Sequence, residues 1–390
     1  MNLSDGSGVG EVRTVDRHYR ICARCVMDTS DPEITFDADN FCNHCVDFIQ
    51  TRAGNSYHAE TSRSELERII DDVRKAGAGS DHDLVIGMSG GVDSSYLAYI
   101  ACKEFGLRPL AVHMDNGWDS ADSVSNIKNL VRGLGIDYEC VVLNWPEFRK
   151  IQLAFLRASA PEAETPTDVA IPEVLKSTAE RYGIRYIFGG GNLATEGILP
   201  KAWHYNACDR KYFEHITRTY GDGPSARFRF YDYRREMYFK LKGIKTVYPL
   251  NYLPFSKTAA IELLTEKVGF RNYGQKHHES RYTGFIQSYY LPEKFGIDYR
   301  RATFSATILD GQMDRDEALR LLKESPFKID AISEGKQYVA KKLEITVDEL
   351  EEIIKRPPTW YWQHPNDDGK LGFIYSVYRK LYGKKKLASV

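Results

Sequence analysis

The sequence lacks both an excess of charge of one sign and any long hydrophobic run. Its 53 Lys and Arg residues are balanced by 54 Asp and Glu residues, which leaves a formal net charge of −1. Near neutrality gives no overall argument for nucleic acid or a membrane surface as a partner. No apolar run approaches membrane-spanning length, and no secretory signal is recognisable. We therefore expect a cytoplasmic protein.

Internal repeats, low-complexity blocks and two common nucleotide-binding motifs are also missing. No Walker A string is present, and no G-x-G-x-x-G fingerprint follows a strand pattern. The 42% hydrophobic and 27% charged residues are typical of a soluble globular protein. A chain of 390 residues is long enough for two or three domains.

Cysteine is scarce, and four of the seven cysteines are grouped. Cys22, Cys25, Cys42 and Cys45 form the pattern C-x2-C-x16-C-x2-C. We call each C-x2-C pair a hook. Two hooks let four thiolates converge on Zn²⁺ and leave no open coordination position, so we expect a structural zinc site. Cysteine ligands alone leave an iron–sulfur cluster open as well. His44, inside the second hook, is expected to be a bystander.

One small polar loop connects an apolar run with a helical pattern, and its sequence is Met88-Ser89-Gly90-Gly91-Val92-Asp93-Ser94-Ser95. The loop N–H groups and the helix N-terminus favour an anion, and the serine hydroxyls add donors. Asp93 beside a phosphate makes sense if Mg²⁺ lies between them. The S-G-G-V-D-S-S string resembles the pyrophosphate loop (PP-loop) of ATP pyrophosphatases, which split ATP into AMP and pyrophosphate.

Strand and helix patterns alternate from Asp83 onward, which predicts a parallel sheet with helices on both faces. The predicted strands are Leu84–Met88, Leu110–Met114, Tyr138–Leu143, Arg185–Phe188 and Thr246–Leu250. Helices are predicted over Ser64–Lys75, Ser94–Phe105, Ser120–Gly133, Trp145–Ala160, Pro172–Tyr182, Thr258–Lys267, Gln312–Lys323 and Thr346–Lys355. In such a sheet, ligands bind beyond the carboxyl ends of the strands.

Three further segments end predicted strands and are expected at the same edge of the sheet. They are Met114-Asp115-Asn116, Gly189-Gly190-Gly191-Asn192, and Tyr248 to Lys257. The first resembles the wall that receives adenine and ribose in PP-loop enzymes, and the second resembles a segment that faces the α-phosphate. Lys257 at a helix start is electrostatically misplaced unless a polyanion binds there, so we expect it to contact the phosphates.

Residues 193–245 form a long insertion between the fourth and fifth predicted strands. Aromatic residues are frequent in it, and residues 201–245 hold eleven Lys or Arg against five Asp or Glu. This mixture is compatible with binding of a sugar and a phosphate, or of nucleic acid. It is equally compatible with an amphipathic helical lid that has an aromatic core. On the first interpretation, Trp203 and Tyr205 are candidate substrate-binding residues.

The string Lys276 to Gln287 is dense in chemically capable side chains. His277, His278 and Glu279 are candidate catalytic residues, whereas Arg281 and Tyr282 are candidate substrate contacts. No carboxylate or cysteine at a suitable spacing completes a metal site with the two histidines.

These features together resemble the N-acetyl sugar amidotransferase family, which includes enzymes of bacterial surface-polysaccharide biosynthesis. Two more strings match, Leu291 to Asp298 and Gly311 to Leu319. The resemblance covers nearly the whole chain from Cys22. It implies a HUP-like parallel α/β domain at 61–267 with the insertion 193–245. A zinc-ribbon module at 1–60 would precede it, and a mainly helical substrate or assembly region at 268–390 would follow.

The resemblance also implies a reaction, the ATP-dependent conversion of a sugar acetamido group to an acetamidino group. The acetamido oxygen attacks the α-phosphate, which gives an O-adenylyl imidate and pyrophosphate. Ammonia from a separate glutaminase subunit then displaces AMP. The substrate would be an activated sugar of lipopolysaccharide O-antigen or another surface glycan, and we expect it to be nucleotide-linked. No glutaminase Cys-His-Glu arrangement is recognisable in this chain.

The reaction that the resemblance implies gives each group of candidate residues a role. The loop N–H groups and serines would hold pyrophosphate, Asp93 would hold Mg²⁺, and Lys257 would offset developing charge. His277, His278 or Glu279 would deprotonate ammonium or hold the substrate.

Two other classes of protein stay open. A tRNA-thiolating enzyme can share a zinc module and a PP-loop, but it usually has further paired cysteines in the nucleotide domain. Cys102, Cys140 and Cys208 form no C-x2-C pair, and the first two are predicted to be core residues. A non-catalytic zinc-ribbon interaction protein is disfavoured by the intact PP-loop string.

Overall fold

A five-stranded parallel sheet forms the centre of the computed structural model, which describes residues 18–54, 61–224, 228–272, 279–326 and 329–382. Its strands are β1 (Leu84–Gly87), β2 (Pro109–Asp115), β3 (Asp137–Val142), β4 (Tyr186–Phe188) and β5 (Lys245–Val247). Their spatial order is β3-β2-β1-β4-β5, and every neighbouring pair is parallel. The predicted strands and the predicted parallel sheet are therefore confirmed, with small shifts at the strand ends.

Helices surround this sheet and make up most of the chain after it. Those up to the last strand are α1 (Asn43–Gly54), α2 (Ser62–Ala76), α3 (Val92–Lys103), α4 (Ala121–Leu134), α5 (Trp145–Arg157), α6 (Thr165–Arg181), α7 (Leu193–Glu196), α8 (Arg210–Thr219) and α9 (Tyr233–Leu241). Those after it are α10 (Lys257–Val268), α11 (Arg281–Phe285), α12 (Leu291–Phe295), α13 (Arg300–Leu309), α14 (Arg315–Leu322), α15 (Ile329–Leu343), α16 (Val347–Lys355) and α17 (Asp368–Tyr382). Short 3₁₀ helices cover Pro249–Tyr252 and Tyr361–Gln363, and a π-helix covers Ile286–Tyr290.

The central strands are short apolar runs because helices cover both faces of the sheet. Leu84, Val85 and Ile86 are fully shielded from solvent. Leu84 and Ile86 belong to the core shared with α2, α3, α4 and α10, and Val85 belongs to the core shared with α5, α6, α8 and α9. This alternation follows from the two-residue period of a strand.

One predicted helix is longer than expected. The helix predicted over Pro172–Tyr182 begins at Thr165, and Pro172 lies inside it. Pro166 occupies the first turn, where a missing N–H donor costs nothing. The additional turns place Thr167 and Asp168 near the sheet edge that carries the loops.

The N-terminal cysteine module packs on the C-terminal helices. The side chain of Arg315 donates to the carbonyl oxygens of Cys25 at 2.9 Å and Cys22 at 2.8 Å. Arg301 pairs with the buried carboxylate of Asp28 at 3.0 Å. Charge-assisted contacts of this kind fix the hooks against α13 and α14. In the described ranges, no helix combines the length and the apolar character needed to cross a bilayer.

Candidate functional site

The loop after β1 lies at the topological switch point of the sheet. The chain proceeds from β1 to β2 on one side and later places β4 on the other side of β1. The loops after β1 and β4 therefore leave the sheet side by side and form a crevice. Open parallel sheets bind ligands in such a crevice.

Serine hydroxyls hold the loop after β1 in a fixed shape. The Ser89 hydroxyl accepts a hydrogen bond from the Gly91 N–H at 3.1 Å and lies 3.2 Å from the Ser94 hydroxyl. The Ser94 hydroxyl donates to the Gly91 carbonyl at 3.3 Å. Ser95 is fully buried, and its hydroxyl has no hydrogen-bond partner among the described residues. A pre-shaped cradle with an unused donor suits an oxyanion.

Only glycine fits at position 90, because of its backbone conformation and because of the atoms around it. Its φ is +77°, and a Cβ at this position would lie 2.4 Å from the carbonyl oxygen of Ser123. The side chain of Asn126 also donates to the Gly90 carbonyl at 3.3 Å. The loop is thus held tightly against the first turns of α4.

The loop after β4 closes on the same site. A Cβ on Gly190 would lie 3.1 Å from the backbone nitrogen of Ser94, so a glycine permits this close approach. The side-chain amide of Asn192 donates to Asp93 at 3.2 Å, and its carbonyl oxygen caps α7 by accepting from the Thr195 N–H at 3.0 Å. The structure therefore brings together two segments that were predicted separately.

Asn251 was missed as a site residue by sequence reasoning. Its side-chain oxygen accepts from the Leu193 N–H at 2.7 Å, and its amide nitrogen has no hydrogen-bond partner in the described ranges. The residue is fully buried beside the loop after β4. The sequence predicts that the segment Tyr248–Lys257 faces a ligand. The residue expected to make the contact was Lys257, the one cation of that segment, and not Asn251.

The end of β2 forms the third side of the site. Asp115 accepts from the Gly117 N–H at 2.8 Å, and Asn116 donates to the Thr167 hydroxyl at 3.3 Å. His113 lies beneath, 2.8 Å from the Met88 carbonyl and 2.9 Å from Asp119. Burial lowers the pKa of His113, but its contacts with Asp119 and the carbonyl raise that pKa on balance.

Lys257 is the first residue of α10, and Ser256 caps this helix through its hydroxyl. The side chain of Lys257 is half-buried. The helix packs against α3, the helix that follows the PP-loop. Its contact with the phosphates of ATP stays a prediction.

The four cysteines form one compact cluster. Their sulfur atoms lie within 4.8 Å of one another, with 3.7 Å between Cys22 and Cys45, 3.7 Å between Cys25 and Cys42, and 3.6 Å between Cys42 and Cys45. A tetrahedron of four Zn–S bonds has edges of about 3.8 Å, so the geometry fits a single zinc ion. His44 lies outside the cluster and contacts Asp31 at 2.7 Å.

Two family models match separate parts of the chain. Residues 63–163 match NAD synthase, and residues 279–382 match the C-terminal domain described as "LPS biosynthesis protein WbpG-like". The chain joins an NAD synthase-like PP-loop ATP pyrophosphatase domain to a WbpG-like C-terminal domain. A GMP synthase from Pyrobaculum aerophilum is 33% identical over 73 residues, which are 19% of this chain and 14% of that protein. The matched segment thus spans a small part of that relative.

Solved structures give weaker likenesses. An NMN synthetase from Francisella tularensis is 14% identical, covers 55% of this chain and 98% of its own, and has a TM-score of 0.28. A U34-tRNA thiolase from Methanococcus maripaludis is 15% identical over 80% of this chain and 90% of its own, with a TM-score of 0.31. An NH3-dependent NAD synthetase from Campylobacter jejuni is 14% identical over 69% of this chain and 99% of its own, with a TM-score of 0.30.

The WbpG-like domain begins directly beside the end of β2. The Ser120 N–H donates to the Glu279 carbonyl at 2.8 Å, and the Arg281 N–H donates to the Trp118 carbonyl at 2.8 Å. The Arg281 side chain lies over the Tyr338 ring at 3.5 Å and pairs with Glu334 at 3.0 Å. The backbone of Glu279 therefore lies beside the start of α4, and its role as a catalytic residue stays a prediction. His277 and His278 lie outside the described residues.

Three of the predicted substrate contacts are core residues instead. Trp203, Tyr205 and Tyr282 are at most 1% exposed. Tyr205 stacks on Tyr361 with 4.3 Å between ring centroids, and Tyr282 stacks on Trp118 at 4.7 Å. Side chains this fully buried leave no surface for a sugar, which weighs against their predicted role as substrate contacts. Most aromatics of the insertion likewise form a core, which favours the helical-lid interpretation.

Proposed function

We propose that this protein is an AMP-forming, ATP-dependent amidotransferase. It converts the acetamido group of an activated sugar to an acetamidino group in lipopolysaccharide O-antigen or other surface-glycan biosynthesis. The nitrogen comes from ammonia, which a separate glutaminase subunit supplies. The single observation that supports this most is a PP-loop site formed at one sheet edge directly beside a WbpG-like domain.

The adenylation step follows from the chemistry of the site. An amide oxygen is a poor leaving group, so it must be activated before nitrogen can replace it. The acetamido oxygen attacks the α-phosphorus of ATP, and the bond to pyrophosphate breaks. The loop N–H groups and the hydroxyls of Ser89, Ser94 and Ser95 stabilise the pyrophosphate as it leaves.

Asp93 offers a carboxylate of the kind that Mg²⁺ prefers, and Asn192 of the loop after β4 donates a hydrogen bond to it at 3.2 Å. When bound there, the ion would neutralise charge on the phosphates. Gly190 and Gly191 let the loop backbone approach the α-phosphate, and Asn251 supplies a buried amide behind them. Met114, Asp115 and Asn116 form the side on which adenine and ribose would bind.

Labelling of the acetamido oxygen tests this function. The protein is incubated with ATP, Mg²⁺, ammonium and acetamido sugar nucleotides whose carbonyl oxygen carries a heavy isotope. The label should appear in AMP, and mass spectrometry should find the sugar with NH in place of oxygen. Release of ADP and phosphate, or label that stays in the sugar, contradicts the proposal.

The runner-up function is tRNA thiolation, and the remaining cysteines weigh against it. Burial raises the pKa of Cys102 to about 11 and that of Cys208 to about 12, which disfavours the reactive thiolate. Cys140 is exposed because β3 is an edge strand, which corrects its predicted core position. Sulfur transfer to tRNA by the purified protein would favour this alternative.

A further inference from the structure

The strand β3 lies at one edge of the sheet, where β2 is its one neighbour in the described part of the chain. The Leu143 N–H donates to the Asp115 carbonyl at 2.9 Å, which fixes the direction of the backbone groups along the strand. Because these groups alternate, those of Tyr138, Cys140 and Val142 point away from β2. They have no hydrogen-bond partner among the residues that the structure describes. The strand therefore carries an open row of donors and acceptors.

This open edge is also apolar and unprotected. Val142 is 69% exposed, Tyr138 is 41% exposed, and Cys140 between them is exposed as well. Residues 137–143 contain no Lys or Pro, which are the residues that commonly keep an exposed edge from pairing. An edge of this kind is a template for a further strand.

A groove of about 840 Å³ lies beside the open edge and is lined by residues of β3, α5 and α6. Its apolar lining includes Val141, Phe148, Ala170 and Val174. Side chains of an added strand would alternate between the two faces of the sheet, so every second one would stand on the face that carries α6. An edge next to such a groove can hold a strand through its backbone and through alternate side chains.

The charges of β3 favour a neutral strand as the occupant. Asp137 Oδ2 lies 2.9 Å from His82 Nε2, and Glu139 pairs with Arg181. Both acidic residues of the strand thus have a basic partner within the chain, and the edge offers no unbalanced charge to a charged partner. A neutral apolar strand fits it, and β3 is itself such a strand.

A twofold axis between two copies pairs the same strand antiparallel with itself, with one residue at the centre. A centre at Glu139 sets two carboxylates directly opposite each other, which is unfavourable. A centre at Val141 pairs only three residues of the strand, because β3 ends at Val142. A centre at Cys140 pairs five residues, and it sets Tyr138 opposite Val142 of the second copy. Aromatic and β-branched residues form a favourable cross-strand pair.

We propose that β3 pairs with β3 of a second copy of this chain about a twofold axis at Cys140. The two five-stranded sheets then form one continuous sheet of ten strands. The outward N–H and carbonyl groups of Tyr138, Cys140 and Val142 find partners, and the exposed side chains on both copies are covered. This interface goes beyond the proposed function and does not depend on it.

Cross-linking through Cys140 tests the register. Residues directly opposite each other in a hydrogen-bonded antiparallel pair have Cα atoms about 5.5 Å apart, within the reach of a disulfide. A register shifted to either neighbouring centre sets the two cysteines diagonally, about 7–8 Å apart and beyond that reach. Mild oxidation of the parent protein with copper phenanthroline should therefore give a covalent dimer, and Cys140→Ser should give none. On the Cys140→Ser background, Tyr138→Cys combined with Val142→Cys should restore the cross-link, whereas Tyr138→Cys alone should not.

Light scattering and sedimentation test the interface itself. The parent protein should have twice the mass of one chain. Val142→Lys should raise the dissociation constant of the dimer by roughly 10²-fold or more, because it sets a charge at each end of the paired strands. The matched control is Leu241→Lys on α9, which adds the same charge at an apolar residue that is 84% exposed. Circular dichroism checks that both variants fold.

A parent protein that stays monomeric would overturn the second copy as the occupant and leave the edge to a different chain. A dimer that survives Val142→Lys, or that Leu241→Lys dissociates equally, would place the interface elsewhere and overturn the proposal. A dimer without the Cys140 cross-link would overturn the register. The cross-links are measured without Val142→Lys, so they decide the matter even if that variant fails to fold.

Discussion

The side-chain amide of Asn192 donates a hydrogen bond to the carboxylate of Asp93 at 3.2 Å. These residues are 99 positions apart, and they join the loop after β4 to the first turn of α3. The contact holds the carboxylate between the two loops where phosphates would bind. It also couples the position of the loop after β4 to that of the PP-loop.

Replacement of Asp93 by Asn should strongly reduce adenylation while the fold is retained. The amide cannot neutralise Mg²⁺, so pyrophosphate release should fall by roughly 10²-fold or more. The matched control is Asp222→Asn, at a residue whose exposed side chain pairs with Lys150 on the surface. Initial rates of pyrophosphate release and far-UV circular dichroism check this. Unchanged release by the Asp93 variant would remove Asp93 from the site.

Gly90→Ala should be far more damaging than Gly106→Ala. Both glycines have positive φ, +77° and +60°, so each alanine costs about 1–2 kcal/mol of unfolding free energy. Only at Gly90 would the new Cβ also meet backbone, 2.4 Å from the Ser123 carbonyl, whereas nothing lies within 4 Å at Gly106. Urea unfolding measures the loss of unfolding free energy, and ATP titration measures the loss of nucleotide affinity. Equal costs at both positions would show that the PP-loop can move away from α4.

Cys22→Ser should release the zinc ion and weaken the packing of the C-terminal helices. Arg315 donates to the carbonyls of Cys22 and Cys25, so a disordered hook loses contacts with α14 as well as the metal. Metal analysis should fall from about one zinc per chain to near zero, together with a lower Tm. Cys102→Ser is the control. A folded, metal-free parent protein would contradict the site.

Glu162 should make stability depend on pH in a predictable direction. Burial raises its pKa from 4.5 to about 8 in the folded protein. The folded state therefore binds this proton more tightly than the unfolded state, and its stabilising effect is lost as pH rises from 4.5 to about 8. Glu162→Gln resembles the protonated form. Its unfolding free energy relative to the parent should increase by a few kcal/mol between about pH 5 and about pH 8.5.

Denaturant unfolding at several pH values measures this, with Glu180→Gln as the control. Parallel pH curves for the parent and the Glu162 variant would mean that Glu162 titrates normally.

The elements that sequence predicted best are those with strong local signals. The strand at Leu84 was found because its apolar run is short and bounded by polar residues. The hooks at Cys22 and Cys42 were found because ligand spacing is itself a sequence property. Helix α14 was found because Asp314 caps it and acidic residues follow, as the structure confirms.

Burial of aromatic side chains was harder to predict. Trp203, Tyr205 and Tyr282 have the composition of a sugar-binding surface, but composition carries no information about which side of a ring is covered. Tyr361, far along the chain, covers Tyr205 and removes it from solvent. His204 between the two buried aromatics is the partly exposed residue, and no periodicity marked it.

The sequence alone determined the parallel sheet, the PP-loop after its first strand and the grouping of four cysteines, because each depends on local spacing and backbone propensity. Only the tertiary structure decided that Asn192 contacts Asp93, that Asn251 backs the same loop, and that Asp168 lies beside His204. Such contacts arise when strand order and helix packing join distant segments, and no local pattern encodes that geometry.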